Sequence, residues 1–222
     1  MIPIRVYSSS TRWSLGLFLV TCLCGIHYCI TSDVFNANQW IDAYGLVPLR
    51  WWNETAWQTL GVPRQLLAIV SYAYLHDDWF HCLFNAWWLL VFAPAVHARF
   101  GGMAFWMVYT CAGIGGGATY LLSSSDSLSP LVGASANISG ILGAYWVGCR
   151  QHSVALLGFD KPVHGGVFTA LFIGVQIMLA LLYTDHHVGI AFLCHVVGWM
   201  VGVLVALGYS REQRDTEMLV LE

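Results

Sequence analysis

Six long windows of this chain contain no charged residue, and that absence constrains the fold more than any other feature. The windows are 13–32, 79–98, 100–125, 127–149, 162–184 and 186–210, of 20, 20, 26, 23, 23 and 25 residues. A helix needs about 20 apolar residues to cross a bilayer, and a charge at its centre is costly. The pattern predicts an all-α polytopic membrane protein with six transmembrane helices. A seventh gap, 65–76, is too short to cross. Composition agrees, since only 9% of the residues are charged and 58% are hydrophobic, where a soluble domain carries about 25% charge. A net charge of −3 without a Lys/Arg cluster excludes the phosphate-neutralising surface of a nucleic-acid binder.

Basic residues set the orientation. With the N-terminus inside, the inner side collects Arg5, Arg12, Arg99, Arg150, Lys161, Arg211 and Arg214, leaving Arg50 and Arg64 outside. Both termini are expected in the cytoplasm. The chain then divides into a short cytoplasmic N-terminus (1–12), a membrane domain (13–210) with an external connection at about 33–78, and a short cytoplasmic tail (211–222). That connection is rich in Trp, which suits the headgroup layer, and Leu66, Leu67, Ile69 and Val70 predict a short interfacial helix within it. No small-residue cleavage site follows the first window, so it reads as a retained helix. The seven Cys lie mostly in apolar runs and read as small hydrophobes.

Polar side chains inside the windows need a partner or a wet cavity. They are His27, His81, Asn85, His97, Ser135, Asn137, Ser139, Gln176 and His195. The segment 123–130 is too polar for lipid, and irregular backbone at that depth must be buried in protein or line a cavity. A helix beginning near Ser135 has about 14 residues before Arg150, roughly 21 Å, too short for a 30 Å core. Ser135 is therefore expected below the outer surface, at the depth of His195, His81 and Asn85. Alone among glycines, a transmembrane Ser is ordinarily a packing residue. Beside a His base it is a nucleophile, and the Ser135 N–H at a helix start, with His81 and Asn85 on one helical face, supplies oxyanion donors. No carboxylate lies at that depth, so a Ser–His dyad is implied. His27, His97, His152, His164, His186 and His187 read as structural or interfacial. Two His on separate helices also fit a small haem or metal membrane protein, a reading that leaves Ser135 and Asn85 unused.

Three stretches carry a resemblance: His-Asp-Asp-Trp-Phe-His-Cys-Leu-Phe-Asn (76–85), Gly-Ala-Ser-Ala-Asn-Ile-Ser-Gly-Ile-Leu-Gly-Ala-Tyr (133–145) and His-Val-Val-Gly-Trp-Met-Val-Gly (195–202). Over about 45–210 the chain resembles the rhomboid intramembrane serine proteases, bacterial members with a six-helix core. The resemblance implies Ser135 as nucleophile, His195 as general base and His81 and Asn85 as oxyanion donors. It also implies close packing near the site at Gly133, Gly140, Gly198 and Gly202, and no metal or cofactor. It further implies transmembrane protein substrates in a bacterial inner membrane, or a rhomboid-like protein that binds membrane clients without cleaving them. Oligomeric state is left open. Three positions depart from the family pattern. Ala136 stands where Gly usually follows the nucleophile, His97 where Glu often sits, and Ser139 where some members stack an aromatic on the catalytic His.

Overall fold

Every residue from 136 to 145 is buried, and the rest of the chain is arranged around the helix that holds them. The computed structural model describes residues 13–32, 37–154, 163–182 and 186–221. Its helices are α1 (Trp13–Thr31), α2 (Ala37–Tyr44), α3 (Pro48–Trp51), α4 (Glu54–Leu60), α5 (Val62–Ser71), α6 (Trp79–Ser123), α7 (Ser135–Cys149), α8 (Gly165–Leu182) and α9 (His186–Leu221). A 3-10 turn, Tyr72–Tyr74, leads towards α6, and an antiparallel hairpin of β1 (Ser153–Val154) with β2 (Val163–His164) precedes α8. Trp79–Ser123, Gly165–Leu182 and Ile190–Ser210 are long and apolar enough to cross a membrane. The expected N-terminal segment 1–12, and the charges at Asp33, Lys161 and Asp185, lie outside the described residues.

Helix α1 buries Gly16, Leu19, Leu23, His27 and Ile30, a stripe with the three-to-four-residue spacing of one helical face. Gly16 brings it against Ala93 and Pro94 of α6, while Leu17, Phe18 and Tyr28 are exposed on the other side. Helix α6 starts where the Asp78 carboxylate accepts the His81 N–H at 2.8 Å, an N-cap of the usual kind. It contains the window predicted at 79–98 and the one at 100–125 as far as Ser123. They are separated at Gly101, whose φ of 84° and ψ of 172° are non-helical and suit a residue without a Cβ. The two halves run beside α7 in opposite directions. At one end of α7, Gly133 lies against His81 and Asn85 and Gly113 lies against Asn137. At the other end, Gly148 meets Arg99 and Phe100.

Helices α7 and α9 touch backbone to backbone. A Cβ at Gly198 would collide with the Ala136 carbonyl, and one at Gly202 with the backbone of Gly140. Small residues at such a crossing allow the closest approach two helices can make. Over the tail expected at 211–222, α9 continues as helix to Leu221. Glu, Gln, Arg, Met and Leu dominate that stretch and no Gly or Pro interrupts it, so helix propensity carries it on.

The connection expected at 33–78 holds α2 to α5, and the short apolar helix anticipated there is α5. Hydrogen bonds fasten it down. Ser71 Oγ donates to the Tyr44 carbonyl at 2.7 Å, Trp52 Nε1 to the Leu121 carbonyl at 2.9 Å, and Arg50 pairs with Asp42. Leu46 and Leu131 exchange backbone hydrogen bonds of 3.1 and 2.9 Å, and the Gly133 N–H donates to the Tyr72 carbonyl at 2.9 Å. The irregular backbone leading into α7 therefore finds protein partners, as backbone away from water must.

Candidate active site

Ser135 is the first residue of α7, so its N–H has no acceptor one turn back within the helix. Its Oγ lies 2.7 Å from His195 Nε2 on α9. The glycine contacts between these helices explain the short distance: with no side chain between the backbones, a Ser and a His on facing surfaces meet directly. Both residues are partly exposed, and with His81, Asn85 and Gln176 they line a cavity of about 440 Å³.

The other nitrogen of His195, Nδ1, lies 2.8 Å from Gln176 Oε1 on α8. An amide oxygen only accepts, so Nδ1 carries the proton and Nε2 presents its lone pair to the Ser135 hydroxyl. Phe192 meets the imidazole edge-on, with centroids 6.1 Å apart. Ser139 lies one turn beyond Ser135 on α7, and its hydroxyl donates to the Ser135 carbonyl at 2.8 Å.

His81 and Asn85 converge on Gly133. A Cβ there would fall 2.7 Å from the His81 ring and 3.6 Å from Asn85 Nδ2, and φ at Gly133 is 109°, which a side chain would strain. Asn85 Nδ2 donates to His76 Nε2 at 2.9 Å, and Asn85 lines the cavity. His81 Nδ1 is 3.8 Å from an Asp77 carboxylate oxygen. All four expected site residues thus gather at the mouth of α7. Gly140 and Gly202 meet deeper, as packing positions. The methyl of Ala136 points at Gly116 of α6, where a Cβ would collide with it, so the departure from Gly is accommodated by a glycine opposite. Asn137 turns away from the cavity and donates to the Tyr109 carbonyl at 3.0 Å. His97, one turn before the Gly101 interruption of α6, packs near Phe105, with centroids 6.3 Å apart.

Two members of this arrangement escape a reading of the sequence. Gln176 is visible as a polar residue in an apolar window, but nothing in one sequence gives its register against His195. His76 falls outside the windows altogether, yet it is 1% exposed and sits in the connection before α6. Burial, with His81 and His27 close by, pushes its pKa from 6.5 down to about 3. It therefore remains a neutral acceptor for Asn85 near neutral pH. Below about pH 6.5 the unfolded chain takes up a proton that the folded chain refuses, so the stability this group supports falls as pH drops towards 3. The stability gap between wild type and His76→Gln is expected to narrow on acidification from pH 7 to 4.5, read from thermal unfolding in detergent. A constant gap would contradict the buried neutral imidazole.

Apolar helices around a buried polar cluster with a hydrogen-bonded Ser–His pair define an integral membrane protein with a candidate hydrolytic site. Residues 63–212 match the Rhomboid domain family. The chain belongs to the rhomboid family. It is 33% identical over 97 residues to the Bacillus subtilis (strain 168) protein described as "Putative rhomboid protease YdcA", covering 43% of this chain and 48% of that one. The matched region spans about half the length of that relative.

Proposed function

We propose that this protein is an intramembrane serine endopeptidase that cleaves transmembrane segments of other membrane proteins. In this reading it crosses a bacterial inner membrane six times, with both termini in the cytoplasm. The six crossings are α1, the two halves of α6, α7, α8 and the apolar part of α9. The single observation that carries the activity is the 2.7 Å contact between Ser135 Oγ and His195 Nε2. It joins residues sixty positions apart, on two helices, at the wall of a cavity.

The chemistry follows from the atoms present. His195 Nε2 takes the Ser135 proton as Oγ attacks a peptide carbonyl, and the oxyanion meets the Ser135 N–H, His81 and Asn85. The imidazolium then protonates the departing amine, and a water activated by the same His hydrolyses the ester and restores Ser135. A fluorophosphonate forms a stable bond to such a serine. The purified wild type is expected to take up the probe and Ser135→Ala to take up none. Label retained by Ser135→Ala, or absent from wild type, would overturn the reading.

A further inference from the structure

We infer that Gln176 is a positioning residue for His195, so that the Ser–His pair works with a third side chain that orients its base rather than as a bare pair. The inference rests on the protease reading above and adds a third side chain to it. A neutral imidazole has two tautomers, and only the one protonated at Nδ1 presents a lone pair to Ser135. In water the two interconvert freely. Here the Gln176 amide presents its carbonyl oxygen 2.8 Å from Nδ1, the orientation that accepts from the productive tautomer.

The same contact fixes the plane of the ring. His195 is held at Nε2 by Ser135 and at Nδ1 by Gln176, with Phe192 at its edge, so rotation about the Cβ–Cγ bond costs both hydrogen bonds. Ser139, one turn along α7 from Ser135, is spent on the Ser135 carbonyl and does not supply a stacking ring. An uncharged amide also answers a physical constraint. A carboxylate would hold the imidazolium more strongly but is costly among apolar helices, whereas an amide oxygen orients the base without charge. Gln176 is partly exposed among Val175, Ile177 and Met178, which face outward. A polar residue at that place on an otherwise apolar helix has its hydrogen bond to His195 as the evident reason to be there.

The experiment compares wild type, Gln176→Leu, which removes the acceptor at similar volume, and Gln176→Glu, which keeps an acceptor oxygen. Gln176→Met serves as a second apolar variant where leucine does not fold. Two readouts are taken in detergent at pH 7: kcat and KM on a single-span peptide substrate, and the tautomer of His195 from 15N-histidine NMR, assigned by difference from His195→Ala. Gln176→Leu is expected to lose about 10- to 100-fold in kcat with KM little changed, and to show mixed tautomers where wild type shows Nδ1–H alone. Gln176→Glu is expected to recover most of the kcat. An unchanged kcat in Gln176→Leu, or a fall in kcat with His195 still wholly Nδ1–H, would overturn the inference. A wild type without turnover sinks the protease reading instead, and the tautomer then still decides whether Gln176 sets the imidazole.

Discussion

Ser135→Ala and His195→Ala are each expected to lower cleavage of a single-span substrate by roughly 10⁴-fold, and the double variant to lower it no further. The non-additivity is the informative part. His195 acts on the reaction through the proton it takes from Ser135, so once the hydroxyl is gone the imidazole has nothing to remove. A factor of about 10⁴ corresponds to roughly 5.5 kcal/mol of transition-state stabilisation. The 2.7 Å contact is short enough for direct proton transfer, so no bridging water need be lost first. Rates are to be measured with each variant shown folded by its thermal transition. Independent, multiplying losses would mean that the two side chains serve separate functions, and the pair would lose its catalytic meaning.

Gly202→Val is expected to be among the most destabilising single substitutions between α7 and α9. The added Cβ would press on the O, C and Cα atoms of Gly140, and backbone atoms have no rotamer by which to withdraw. Overpacking a core commonly costs about 1–3 kcal/mol. With a branched side chain against main chain the cost is expected at or above the top of that range, as the helices separate. Separation also parts Ser135 from His195, so fluorophosphonate labelling of the surviving folded protein is expected to slow at least about tenfold. Gly208→Val is the control, because nothing lies within 4 Å of a Cβ there although it is on the same helix. Equal thermal midpoints for the two variants would refute the claim that the Gly140–Gly202 approach holds the helices together.

How much of this was visible in the sequence depends on which physical penalty wrote the signal. Charge in lipid is expensive, so the windows around Arg99, Asp126 and Arg150 were legible, as was a helix beginning near Ser135. Helical periodicity placed His81 and Asn85 on one face, and they do converge on Gly133. Tertiary register leaves no such mark. The glycines at 113–117 announce close packing without naming a partner, and only the fold shows Gly113 against Asn137 and Gly116 against Ala136 and Cys194. Gln176 was legible as an anomaly and not as a neighbour of His195, because the turn of α8 relative to α9 is set by packing. The helical run past Arg211 was obscured for the opposite reason: its charges ended the apolar signal while its propensity continued the helix.

The reacting pair and its third partner stand on different mechanical supports. Ser135 and His195 are fixed by main chain resting on main chain, which behaves as a ruler of nearly constant length. Gln176 reaches them from α8, whose buried residues are Gly165, Gly166 and Thr169 near its start, with Gln176 two turns further along. An outward tilt of α8 beyond those residues therefore disengages the imidazole's proton holder while the backbone spacing of α7 and α9 stays as it was. Lipids of different thickness, which tilt helices, would act on the first quantity more than on the second.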